Sequence, residues 1–384
     1  MSGSTPRPFR IETSSSELED LKRRLQHTRW PEKELVDDWS QGIPLAYVQE
    51  LCDYWANQYD WNERREEINQ LPQFTLTLNG CEIHFLHQRS PEPDARPLIL
   101  SHGWPCSFLN FRKVVGPLTD PRSHGGDPSD AFHVVCPTLP GFGLSGKPTE
   151  TGFGVPKIAE TWAQLMAALG YDAYFAQGGD WGAAVTTSIA HQDPEHCRGI
   201  YLNMPMASPD KETMNDQSAL EKRAPAGMEH YRRWDAGYSK QQSTRPQTLG
   251  YGLADSPSGQ AAWIIEKFHS WMDCKGHPEN VLTRDELLDN VMLYWLGNAA
   301  ASSGRLYWES FNSGPAPEIT VPVGCSNFPK EIFGTSERWA RKHYPTLVYY
   351  NDLEHGGHFP ALEVPDIFLN EVRSCFRAVR AEAK

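Results

Sequence analysis

The residues Gln177-Gly178-Gly179-Asp180-Trp181-Gly182-Ala183 set one carboxylate among glycines. They stand between an apolar run, Ala173 to Ala176, that reads as a strand, and a segment, Ala183 to His191, that reads as a helix. Small-x-nucleophile-x-small at a strand-to-helix turn is the pattern of a nucleophile elbow. Glycine suits it because the turn is tight and the nucleophile's own backbone is strained. The elbow also sets the nucleophile at a helix N-terminus, where the dipole favours an anion. Asp180 holds the nucleophile position. A carboxylate is ionised, needs no base in order to attack, and suits displacement at saturated carbon, with an alkyl ester as product. The competing reading is a helix cap, which Asp also makes well.

Two further segments carry matching chemistry. Ser101-His102-Gly103-Trp104-Pro105 follows the apolar run Leu98-Ile99-Leu100. A loop there, together with the residue after the nucleophile, supplies oxyanion-binding N–H groups in elbow enzymes, here those of Trp104 and Trp181. His102 reads as a structural histidine bonded to loop carbonyls. Glu354-His355-Gly356-Gly357-His358-Phe359 follows the last strand-like run, where the order nucleophile, acid, histidine places the base. His358 is the expected general base; His355 competes, but Gly356-Gly357 lets the loop turn His358 inward. No carboxylate or Cys stands at ligand spacing from these histidines, so no metal is expected. The acid partner should follow the strand at 321–325. Glu331 is the first carboxylate after it, with Asp352 and Glu354 as alternatives.

These segments need a scaffold that alternates strands and helices. Residues 1–72 read as helices with turns: Ser16-x-x-Glu19 suggests a capping box, and Val48, Leu51, Trp55 and Tyr59 share one helical face. Around Asn79-Gly80 the period changes to two, which predicts a hairpin. From Pro97 the order becomes strand, loop, helix, repeated, with one helix expected over Phe108 to Leu118. This predicts a mostly parallel sheet with helices on both faces. The alternation stops near Met204, gives way to helix-like segments such as Ala261–Trp271 and Leu287–Leu296, and resumes at Val321. The expected division is a lead region over 1–96, a core over 97–204 and 318–384, and a helical insertion over 205–317.

Composition excludes other classes. Asp and Glu number 49 against 36 Lys and Arg, for a net charge of −13, so no basic face awaits nucleic acid or anionic lipid. No stretch approaches the length of a membrane-spanning helix, and the first residues lack a secretory h-region. The eight cysteines are scattered without a CxxC pair and read as free thiols in a reducing compartment. A soluble, cytoplasmic protein is expected.

Taken together, the motifs resemble epoxide hydrolases of the α/β-hydrolase superfamily, of the microsomal type without its membrane anchor. Phe9-Arg10-Ile11, Leu21 through Arg29, Tyr54-Trp55 through Trp61, the HGWP loop at 102–105, Pro140 through Ser145, the GGDWG elbow and the GGHF loop carry the likeness. The resemblance implies an α/β-hydrolase fold with a helical cap, conversion of an epoxide and water to a vicinal diol, and no cofactor. It also implies two cap tyrosines that grip the epoxide oxygen. Gly237-Tyr238-Ser239 and Ser303-Gly304-Arg305-Leu306-Tyr307 match the segments that bear them, and Asn327 through Glu331 matches the acid segment. Tyr231, Tyr251 and Tyr294 read instead as packed aromatics. The stretch Asp273 to Asn280 departs from the family pattern, which leaves substrate size open; a homodimer is also left open. A haloalkane or haloacid dehalogenase would share the elbow Asp but wants indole or amide donors for halide. A non-catalytic ligand receptor would be expected to lose Asp180, His358 or a tyrosine.

Overall fold

A computed structural model describes residues 5–213, 215–311 and 318–382. The described strands form one nine-stranded sheet in the order β1-β2-β3-β5-β4-β6-β7-β8-β9. They are β1 (Arg7–Phe9), β2 (Gln73–Leu78), β3 (Cys81–Gln88), β4 (Arg96–Ser101), β5 (Phe132–Pro137), β6 (Tyr174–Gly178), β7 (Cys197–Leu202), β8 (Val323–Asn327) and β9 (Leu347–Asp352). From β5 to β9 every pairing is parallel; β1, β2 and β3 join antiparallel. Leu98, Ile99 and Leu100 in β4 are fully buried, as a parallel strand covered on both faces requires.

The N-terminal helices are α1 (Ser15–Gln26), α2 (Leu45–Asn57) and α3 (Trp61–Ile68). Leu21 and Leu25 of α1 and Val48, Leu51 and Trp55 of α2 are buried where the two helices pack. The capping box lies two residues before its expected place: Ser14 is the cap and Glu17 its reciprocal partner. Asn79 and Gly80 both take positive φ, at 49° and 76°, the geometry of a two-residue hairpin turn. The strand β1, too short to show a period, went unseen in the sequence.

The core helices are α4 (Val115–Thr119), α5 (Val155–Ala168) and α6 (Trp181–Gln192). The single helix expected over Phe108 to Leu118 is instead a 3₁₀ turn at Phe108–Phe111 followed by α4. Between β7 and β8 come α7 (Ala219–His230), α8 (Gly237–Thr244), α9 (Pro246–Asp255), α10 (Pro257–Trp271), α11 (Arg284–Leu296) and α12 (Ala300–Ser310). The expected end of this insertion, within 312–317, lies outside the described residues. After β8 come α13 (Glu337–His343), α14 (Pro360–Glu363) and α15 (Pro365–Glu382). Among the described residues no helix is long and apolar enough to cross a membrane, and the eight cysteines are free and buried.

The insertion is tied to the sheet's loops by buried hydrogen bonds. Asn290 and Tyr294 of α11 donate to the carbonyls of Pro105 and Cys106, both at 2.7 Å. Ser302 of α12 donates to the Gly141 carbonyl at 2.6 Å. The His358 N–H donates to the carbonyl of Trp271, the last residue of α10, at 3.0 Å. A second tie runs to the N-terminal region and the core: Arg64 of α3 and Arg112, just after the Phe108–Phe111 turn, both pair with the fully buried Asp289 of α11.

Candidate active site

Strand register brings the first two motifs together. Ser101 of β4 pairs with Gly178 of β6, so the loops that follow leave the sheet side by side. The chain runs from β4 outward to β5 and then crosses back to β6, which makes this the switch point where open α/β sheets form crevices. Asp180 sits there with φ 53° and ψ −132°, a strained backbone for a residue with a side chain. The glycines explain how the turn closes. A Cβ on Gly178 would stand 2.0 Å from the Gly182 carbonyl oxygen, and one on Gly182 would stand 1.9 Å from that of Ser101. A Cβ on Gly103 would stand 2.1 Å from Asp180 Oδ1, so the Trp104 loop can approach the carboxylate only through glycine.

The carboxylate does not cap α6; its side chain makes no cap hydrogen bond. Instead Oδ1 accepts the Trp104 N–H at 2.8 Å. His102 lies beneath, with Nε2 accepting the Leu139 N–H at 3.2 Å and Nδ1 3.0 Å from the Gly103 carbonyl. Burial lowers its pKa to about 4, so it is a neutral strut of the loop.

The C-terminal motifs meet Asp180 from the other side. A parallel bridge between Lys330 and Gly357 sets the loops after β8 and β9 together. His358 Nδ1 lies 2.6 Å from Glu331 Oε1, and its Nε2 lies 3.4 Å from Asp180 Oδ2. Both His358 and Glu331 side chains are sealed from solvent. Burial alone would lower the His358 pKa; the Glu331 charge, and after it Asp180, outweigh burial and raise it. Asp352 and Glu354, the alternative acids, are exposed, and Asp352 bonds Asn327 instead. His355 is exposed as well. Among the described residues no cluster of three or more His, Cys, Asp or Glu side chains could hold a metal ion.

Two helices of the insertion bring tyrosines over this point. Tyr238 on α8 stacks on the Trp104 indole, with centroids 4.8 Å apart and planes 10° apart. Tyr307 on α12 meets the same indole edge-on at 6.1 Å and the Trp181 indole at 4.8 Å. The two phenol rings lie 5.8 Å apart. Burial holds both phenols well above their usual pKa, followed by the neighbouring phenols at Tyr238 and by the Asp180 charge at Tyr307, so both are protonated donors. The Tyr307 hydroxyl is buried without a hydrogen-bond partner.

Some neighbours escaped the sequence reading. Tyr231, read as a packed aromatic, has its hydroxyl 3.2 Å from that of Tyr238. Lys267 is buried in α10 between Asp235 and Glu266, with Nζ 5.0 Å from the Tyr238 ring centroid. Trp271 packs edge-on against His358 at 5.0 Å. A lysine inside the apolar run Ile264-Ile265-x-x-Phe268 was the one available signal.

The sheet, the elbow and the inserted helices define an α/β-hydrolase, and residues 96–244 match the model of the alpha/beta hydrolase fold. Residues 6–111 match the model of the epoxide hydrolase N terminus. A Stigmatella aurantiaca (strain DW4/3-1) relative is 51% identical over 376 residues, covering 98% of this chain and 86% of that protein. Epoxide hydrolase 1 of Sus scrofa is 34% identical over 397 residues, covering 96% and 87% of the two chains. The Aspergillus niger epoxide hydrolase structure superimposes with a TM-score of 0.89 at 31% identity, over 98% and 97% of the chains. That of juvenile hormone epoxide hydrolase from the silkworm Bombyx mori gives 0.88 at 28%, over 99% and 96%. The chain belongs to the epoxide hydrolase family.

Proposed function

We propose that this epoxide hydrolase works through a covalent ester on Asp180, with residues 205–317 as the cap that closes over it. The observation that carries the reading is the chain Glu331–His358–Asp180 under two protonated cap phenols. Tyr238 and Tyr307 donate to the epoxide oxygen. An Asp180 oxygen attacks one ring carbon, forming a C–O ester bond as the ring C–O bond breaks. The departing electron pair stays on the epoxide oxygen, which takes a phenol proton. The strained ring supplies part of the driving force, and the phenols supply stabilisation realised as charge develops on oxygen.

Esterification removes the negative charge of Asp180, so His358 loses one of the charges that raise its pKa. The imidazolium then gives up its proton to the tyrosinate and becomes the base of the second step. A cavity of about 20 Å³ beside Asp180 and His358, bounded also by Asn110 and Asn203, has room for one water. Water deprotonated by His358 attacks the aspartyl carbonyl. The Trp104 N–H, which already holds Oδ1, and the Trp181 N–H stabilise the oxyanion. Collapse of the tetrahedral species breaks the ester C–O bond, and the departing alkoxide takes the proton of the newly added hydroxyl, which releases the diol and restores the carboxylate beside the imidazolium. Glu331 orients the imidazole and stabilises its charge. The acidic O–H donors over Asp180 favour an alkoxide leaving group over halide.

A single turnover in ¹⁸O-water tests the sequence of steps. Attack at the aspartyl carbonyl places the solvent oxygen in Asp180 and leaves the first diol unlabelled. Labelled diol from the first turnover overturns the covalent route. A panel of styrene oxide, long-chain fatty-acid epoxides and terpenoid epoxides then defines the substrate class by kcat/KM.

A further inference from the structure

Tyr231 opens a five-residue π-helical turn, Tyr231–Asp235, between α7 and α8. Such turns re-aim side chains and concentrate at functional sites. Here the turn holds Tyr238 from two directions. At its start, the Tyr231 hydroxyl reaches that of Tyr238 at 3.2 Å. At its end, Asp235 accepts from Lys267 Nζ and from the Trp271 indole N–H, both at 2.5 Å. Lys267 lies over the Tyr238 ring and Trp104 stacks on it, so the ring is clamped and its hydroxyl stays in line with Tyr231. The Tyr307 hydroxyl makes no such bond.

We propose that Tyr231 is a positioning residue that backs Tyr238, and only Tyr238, as the proton donor to the epoxide oxygen. The proposal rests on the reading of Tyr238 as an acid. A phenol carries one proton and accepts through its oxygen. Once Tyr238 donates to the epoxide, its oxygen can only accept, and the Tyr231 O–H stands within reach. As the ring C–O bond breaks, the Tyr238 proton moves to the epoxide oxygen and negative charge gathers on Tyr238. The Tyr231 bond then becomes charge-assisted and stronger. Tyr231 keeps its own proton throughout, and no further reactant enters. The two acids are therefore unequal, with Tyr238 backed by the Tyr231 hydroxyl as it loses its proton and Tyr307 without that bond.

The test is acid-quenched single turnover of the full-length protein with styrene oxide, with the ester on the Asp180 peptide measured by mass. Tyr231→Phe should lower the maximal rate of ester formation about tenfold, the value of one hydrogen bond to a charged oxygen. The half-saturating epoxide concentration, the ester hydrolysis rate and the melting midpoint should stay as in the parent. A packing defect would move these as well. In a Tyr238→Phe background, Tyr231→Phe should cost nothing more. The proposal is overturned if Tyr231→Phe forms ester within twofold of the parent while Tyr238→Phe is slow, or if the tenfold loss persists in the Tyr238→Phe background. If Tyr238→Phe itself forms ester at the parent rate, the acid reading falls and this inference with it, a pattern distinct from the other two.

Discussion

His358 Nε2 lies 3.4 Å from Asp180 Oδ2, near enough for an ion pair before reaction and for base catalysis on the same carboxyl group after it. On the route proposed above, one geometry would serve both steps, because alkylation, rather than movement, would change the charge. Asp180→Asn removes both the nucleophile and the pair. Initial turnover should fall below detection, because an amide is a poor nucleophile. Activity should then return over hours if His358 and water hydrolyse the new amide to the acid. Recovery would appear as a mass gain of about one unit on the Asp180 peptide, and full activity at the first time point would refute the elbow assignment.

His358→Gln should separate the steps. Ester formation should continue, since a carboxylate attacks without a base, while release of the diol stops. Intact-mass measurement after mixing with epoxide should show a stable adduct of one substrate mass per chain. Normal turnover would transfer the base role elsewhere.

Glu331→Gln should shift the pH dependence in a definite direction. The Glu331 charge favours the imidazolium and raises the His358 pKa, against burial, which lowers it. Without that charge the pKa falls, and the neutral base persists to lower pH. The acid limb of ester hydrolysis, measured by single turnover, should therefore move to lower pH. The plateau rate should also fall, because the imidazolium formed in the step loses its partner. A limb moving upward would contradict the ion pair seen at 2.6 Å.

Tyr238→Phe and Tyr307→Phe should each slow ester formation and leave ester hydrolysis largely unchanged. Each single change leaves one donor on the epoxide oxygen. The double change leaves the alkoxide unpaired in an apolar cap and should approach the full ~10²–10⁴-fold contribution of general acid catalysis. Equal rates for the double variant and the parent would remove the phenols from the mechanism.

Asp289→Ala should destabilise the fold. Asp289 is fully buried and accepts from Arg64, Arg112 and the Tyr59 hydroxyl, joining the N-terminal region to α11. Removing it leaves two mostly buried guanidinium groups facing each other, at a cost of ~3–5 kcal/mol. The denaturant midpoint should drop accordingly, and a change under 1 kcal/mol would show that the network is dispensable.

The residues that converge on Asp180 were largely legible because their signals are local. An elbow needs glycine on both flanks, and the closed space at Gly178 and Gly182 is the physical reason the pattern is written so plainly. The Gly356-Gly357 hinge marks His358 for the same reason, and strand–loop–helix alternation is a matter of period. Even so, Glu331 stood among three candidate acids until the bridge between Lys330 and Gly357 set it beside the imidazole. Composition and period could not choose among the fourteen tyrosines; Tyr238 and Tyr307 came from likeness to a family. Tyr231 and Asp235 carry no readable pattern, and Lys267 only that of a lysine inside an apolar run. Their meeting depends on a π-helical turn and on how α8 and α10 pack against the Trp104 loop. Backbone turns leave a mark in the residues that make them. Contacts between side chains far apart in the chain leave none, because many sequences can place a hydroxyl or an ammonium at the same point in space, and only the folded packing says which one did.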